Sequence, residues 1–165
     1  MRDMRRRELV AAAGALALAL GPGAGAASAL DRKRGLDEPG ALTALIVAEL
    51  HAAYAYERSG LDAGTLLANH EDQHARALAS LLDALGHPIP AAPASSAQLQ
   101  PSAAALVARR SRDAAIVLEQ ALIEGCARQI VKLGDPGMIR TVATVMASHA
   151  QHLRLHRNAA DTGVV

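Results

Sequence analysis

Five of the seven histidines fall in two short stretches, His70 and His74 within LLANHEDQHARALASLL and His149, His152 and His156 within SHAQHLRLH. Each stretch sets its polar groups among Leu and Ala. Glu71 and His74 stand three residues apart, as do His149 and His152. On an α-helix each pair lies on one face, about 60° apart, and can reach one common point. Imidazole nitrogen with carboxylate oxygen is a donor set for Fe, Mn, Zn or Cu, and softness alone does not choose among them. The chemistry to look for is metal binding, provided that other helices bring donors to the same height.

The surrounding pattern predicts such helices. Leu42, Leu45, Ile46, Glu49, Ala53 and Tyr56 follow i, i+3, i+4, i+7 spacing, and after a break at RSGLD a second run extends from about Asp62 to Leu85. Residues 86–101, GHPIPAAPASSAQLQP, form a Pro/Ser/Ala linker in which regular structure is not expected. Ser102 to Leu133 reads as one long helix, GDPG as a tight turn, and Met138 to about Ala160 as the last helix. No stretch alternates with the period of a β-strand. The predicted fold is all-α: residues 41–160 as a four-helix bundle of two antiparallel hairpins joined by a long crossover, with a lead-in at 30–40 and a tail at 161–165.

In an antiparallel hairpin, residues equidistant from the turn lie level. The midpoint of Glu49 and Glu71 is Gly60, inside RSGLD, which sets Glu49 level with Glu71 and His74. The midpoint of Glu119 and His149 is Gly134, inside GDPG, which sets Glu119 level with His149 and His152. HEDQHARAL and SHAQHLRLH also align as a weak internal repeat, His74 on His152 and Glu71 on His149.

AELHAAYAYE followed by HEDQHARALASLLDALGHPIPAAP resembles the ferritin-like superfamily of carboxylate-bridged two-metal bundles, in particular its small exported bacterial members. The likeness covers about Ala41 to Arg157 and is weaker in the second hairpin. The family pattern is one Glu from each of two helices and a Glu-x-x-His from each of the other two. The resemblance implies that Glu49 is the lone Glu of the first helix, Glu71 and His74 the Glu-x-x-His of the second, Glu119 the lone Glu of the third and His152 the His of the fourth. His149 departs from the pattern, standing where the family has a carboxylate, and a neutral imidazole binds through one nitrogen. Six candidate ligands remain: Glu49, Glu71, His74, Glu119, His149 and His152. The resemblance implies two Fe or Mn ions reacting with dioxygen or peroxide. Two other readings stay open: a metal-free bundle serving as a structural or interaction module, which could pair as a homodimer, and a mononuclear Zn or Cu carrier drawing on His70, His74, His149, His152 and His156.

The remaining polar residues have plainer expectations. Tyr56, at i+7 from Glu49, is either a core residue with a satisfied hydroxyl or a hydrogen-bond or redox partner of the site. His51, His87 and His156 read as surface or helix-end positions, although His156 at i+4 from His152 could extend the site. His70 is either solvated or placed beside the ligands. Glu57 and Glu124 read as solvated, with Glu57 a candidate substitute ligand. Cys126, the single cysteine, cannot close an internal disulfide and reads as core.

The N-terminal 29 residues are expected to be an export signal: four arginines, the apolar run LVAAAGALALAL and a small-residue end at Ala27-Ser28-Ala29, with Arg6-Arg7 resembling the twin-arginine type. The expected location is periplasmic or extracellular, or at the membrane if the signal stays uncleaved. The whole chain has 17 basic and 16 acidic residues. Removing four arginines and two acids with the signal leaves 13 and 14, a formal charge of −1. A near-neutral body without a basic stripe makes nucleic acid an unexpected partner.

Overall fold

The structure is a computed structural model and describes residues 36–161. The expected export signal and the last four residues of the tail lie outside the described residues. The described residues form five α-helices and no strand: α1 (Glu38–Arg58), α2 (Gly64–Ala84), α3 (Pro101–Arg109), α4 (Arg112–Ile130) and α5 (Pro136–Asp161). None of them is long and apolar enough to cross a membrane.

Helix α1 begins inside the expected lead-in. The Asp37 carboxylate accepts the Gly40 N–H at 3.0 Å, Pro39 occupies a first-turn position where no intrahelical N–H is needed, and Glu38 complements the helix dipole. The helix closes at Ser59, whose hydroxyl donates to the Tyr56 carbonyl at 2.8 Å. Gly60, at φ 70°, turns the chain in the left-handed region open to glycine. Gly64 then lets α2 start against α1, because a Cβ there would lie 2.8 Å from the Tyr56 carbonyl oxygen.

The expected single helix from Ser102 to Leu133 is two helices. Arg110 adopts φ 47°, ψ 42°, its N–H bonded to the Leu106 carbonyl, and α4 restarts from Ser111, whose side chain accepts the Ala114 N–H at 3.3 Å. The N-cap serine and the Asp113 of the first turn outweigh the helical continuity of the flanking Ala/Leu/Val pattern. A non-glycine residue in this conformation costs about 1–2 kcal/mol. Arg110→Gly is therefore expected to raise the unfolding free energy by up to about 1 kcal/mol after the larger unfolded-state entropy of glycine is subtracted, measured by urea denaturation.

The linker is also more ordered than expected. Ser95 and Gln98 form a capping box around a single 3-10 turn at Ser96–Gln98, and the Gln100 N–H donates to His51 Nδ1 at 3.0 Å, pinning the start of α3 to α1. His51 is accordingly half-buried rather than a free surface residue.

Helix α1 packs mainly on α2 and α4 mainly on α5, while α1 also meets α3 and α4, and α2 meets α5. Glu38 ties the α4–α5 turn to the start of α1, its Oε1 accepting the Gly134 and Asp135 N–H groups at 2.7 and 2.9 Å. Two apolar clusters result. One joins Leu42, Leu45 and Ile46 to Leu78, Leu82, Val142 and Val145. The other joins Ala52, Ala55 and Tyr56 to Leu67, Leu106 and Leu118. Alanine at many contacts allows close helix approach, and each fully buried Leu or Ile contributes about 1.5–3 kcal/mol by leaving water. Along α1 and α2 the residues between these clusters are Glu49 and the Glu71/His74 pair, so a polar layer lies between two apolar ones.

Candidate metal centre

The six candidate ligands come together in that layer. Glu49, Glu71, Glu119 and His149 are fully buried, and His152 nearly so. The His74 and His152 ring centroids lie 6.2 Å apart. His74 Nδ1 stands 3.0 Å from Glu71 Oε2 and 3.3 Å from Glu49 Oε2. On the other side, His152 Nδ1 stands 3.2 Å from Glu71 Oε1 and 3.5 Å from Glu119 Oε1. His149 lies between, its Nε2 3.0 Å from Glu49 Oε1 and its Nδ1 3.0 Å from Glu119 Oε2.

These donors form two groups whose ligand atoms all lie within 4.8 Å of one another: Glu49, Glu71, His74 and His149, and Glu71, Glu119, His149 and His152. Each could hold a metal ion. Residue composition alone would not establish the fit, since carboxylates and imidazoles also satisfy one another. The orphaned atoms favour it. Glu49 Oε2, Glu71 Oε1 and His152 Nδ1 are buried without a hydrogen-bond partner, although Glu71 Oε1 and His152 Nδ1 are only 3.2 Å apart. They are near in distance but wrongly angled, as donors to a shared central point would be. Leaving such groups unpaired costs about 1–3 kcal/mol each, a cost that coordination removes.

Three carboxylates face three imidazoles, and their mutual effects run against burial. Burial by itself would raise the Glu49 carboxyl, but the hydrogen bond from His149 and the nearby His74 ring hold it down at about 2. Burial would lower the histidines, yet the carboxylates packed against them raise His149 to about 10 and His74 and His152 to about 9. Glu119 is held below its ordinary value by His149 and His152 despite its burial. Without metal, the three histidines thus carry protons at neutral pH, and an entering ion must displace them.

Neighbouring residues orient the ligands. The Tyr56 hydroxyl donates to Glu119 Oε1 at 2.5 Å and lies 3.1 Å from His156 Nε2. His156 is buried and stacked against the Tyr56 ring, contrary to its reading as a surface or helix-end residue. Because α5 continues to Asp161, position 156 is still on the inward face, and the i+4 spacing from His152 was the signal for it. Tyr56→Phe strips a donor from buried Glu119 and a partner from His156, so a loss of about 1–3 kcal/mol in stability is expected from urea denaturation. His70 is half-buried with Nδ1 3.1 Å from His152 Nε2, an outer contact that keeps His152 Nδ1 facing the carboxylates.

Glu57 and Glu124 are exposed and paired with Arg58 and Arg128, and His87 is exposed. Cys126 is buried in the apolar cluster, its thiol pushed up to about 12 by burial and by the Glu49 and Glu71 charges. It offers no reactive thiolate. A cavity of about 130 Å³ between α1, α3 and α4, lined by Ala48, Glu49, Gln100, Ser102 and Gly125 among others, runs toward Glu49. Comparison with protein-family models, with curated proteins and with solved structures found no match.

Proposed function

We propose that this chain is an exported metal-binding protein of ferritin-like design. In this reading α1 with α2 and α4 with α5 are the two antiparallel hairpins of a four-helix bundle, the linker and α3 are the crossover, and residues 1–29 are the export signal. The centre takes two ions, Fe or Mn, bound by Glu49, Glu71, His74, Glu119, His149 and His152. The observation that carries it is the cluster of three buried Glu and three His from four helices, with buried oxygen and nitrogen atoms left without hydrogen-bond partners. When bound, Fe or Mn supplies electrons to dioxygen or peroxide. The chain's own part is to orient the ligands through Tyr56 and His70, to exclude bulk water with the two apolar clusters, and to exchange ligand protons as ions enter.

The test is to load metal-free protein anaerobically with Fe(II) and then add peroxide or dioxygen. Oxidation of bound Fe(II) faster than Fe(II) in buffer, with consumption of the oxidant, is the expected result. Fe(II) that stays free and oxidises at the buffer rate would refute it.

One observation favours a second reading, the metal-free structural module. The His149 ring spans Glu49 and Glu119 much as a cation would, so three imidazolium groups can balance the carboxylates without metal. The His-rich Zn or Cu carrier gains less support, because His156 is turned to Tyr56 and three carboxylates share the centre.

A further inference from the structure

Deepening the metal-binding reading and resting on it, we propose that the two ions are bridged by the imidazole ring of His149 together with the Glu71 carboxylate, Nε2 serving the ion beside Glu49 and Nδ1 the ion beside Glu119.

The division of donor atoms carries this. Glu49 and His74 belong to one ligand group, Glu119 and His152 to the other, and only Glu71 and His149 belong to both. Glu71 sends Oε2 to the first group, 3.0 Å from His74 Nδ1, and Oε1 to the second, 3.2 Å from His152 Nδ1. His149 spans the two sides, with Nε2 3.0 Å from Glu49 Oε1, and Nδ1 3.0 Å from Glu119 Oε2 and 3.7 Å from the shared Glu71 Oε2. The partnerless atoms also fall in both groups, Glu49 Oε2 in one, His152 Nδ1 in the other, and Glu71 Oε1 in the residue they share.

The ordinary alternative is a histidine that binds through one nitrogen and donates its other N–H to an orienting carboxylate. Here that orienting carboxylate would be Glu49 or Glu119, each of which is itself a candidate ligand on the opposite side. The ring is fully buried, so water does not compete for either nitrogen. A five-membered ring with nitrogens on opposite edges cannot turn both toward one ion, so a ring lying between two donor groups serves both or leaves one incomplete. In the bridging form the ring holds no N–H, and its protons pass to solvent as the ions bind.

The probe is Cd(II), using a spin-active cadmium isotope and full-length protein carrying isotope-labelled histidine nitrogens, read by NMR. Two cadmium ions per chain are expected, with one histidine showing cadmium coupling at both ring nitrogens and two histidines showing it at one. His149→Gln, with helical content unchanged by circular dichroism, should lose the doubly coupled ring and bind both ions at least tenfold more weakly, whereas His74→Gln should weaken one. Two ions bound with every histidine coupled through a single nitrogen would overturn the bridge while leaving the two-ion reading intact; a single bound ion would overturn the bridge and the two-ion centre together. No cadmium bound at all would overturn the metal-binding reading as well. If His149→Gln does not fold, the wild-type spectrum alone decides.

Discussion

The Glu71→Ala/His74→Ala protein is expected to bind Fe(II) or Mn(II) at least about 100-fold more weakly than the wild type. Glu71 is the only carboxylate shared by both ligand groups, and His74 supplies the first group's second nitrogen position. Removing both leaves that group with Glu49 and His149 and the other with three residues. Loss of a residue that only orients a ligand already costs about 10–100-fold, so losing ligands themselves should exceed that range. Anaerobic calorimetric titration of metal-free protein measures the change. Equal affinities in the two proteins would mean that metal binds elsewhere, on surface histidines such as His87.

The second large effect concerns stability without metal. His149→Leu removes the group that pairs with both Glu49 and Glu119 in the buried layer between the helices. Breaking a buried pair strands the remaining charge, and the cost is about 3–5 kcal/mol. Chelator-treated variant and wild type compared by urea denaturation near neutral pH should show this difference. A change below about 1 kcal/mol would mean that water enters the layer and solvates the carboxylates.

The pH profile of the same metal-free protein follows from the direction of each shift. His149, His74 and His152 titrate higher folded than unfolded, so their contribution is complete below their ordinary value of 6.5 and fades as pH rises toward about 9 and about 10. Glu49 titrates lower folded than unfolded, so its contribution is complete above 4.5 and fades as pH falls toward about 2. Stability of the metal-free protein should peak between those ordinary values. Added metal should shift the maximum upward in pH, since ions compete with the histidine protons.

Much of this layer was legible in the sequence because helix geometry is regular. The i, i+3 spacing of Glu71/His74 and His149/His152, and the midpoints at Gly60 and Gly134, are enough to forecast which polar residues lie level. What the sequence hid was short-range chemistry competing with periodicity. Ser111 and Asp113 start a new helix within the polar run Arg109-Arg110-Ser111-Arg112-Asp113 between two apolar helical stretches, and Arg110 takes a left-handed conformation that no composition rule assigns to arginine. His156 was hidden for another reason, since its burial depends on the reach of Tyr56 from α1. The roles of the two His149 nitrogens were not legible either. Spacing places a ring at a height, but only the neighbours on both sides show which edge faces which carboxylate.

The measurement that bears most directly on the metal centre is elemental analysis of the protein, purified without chelator and repeated after reloading with Fe(II) or Mn(II). About two Fe or Mn ions per chain are expected, as for a paired-ion centre. A fully helical, stable protein that carries no metal and takes up none on reloading would contradict the account, and the cluster would then be a self-compensated buried network of three carboxylates and three histidines.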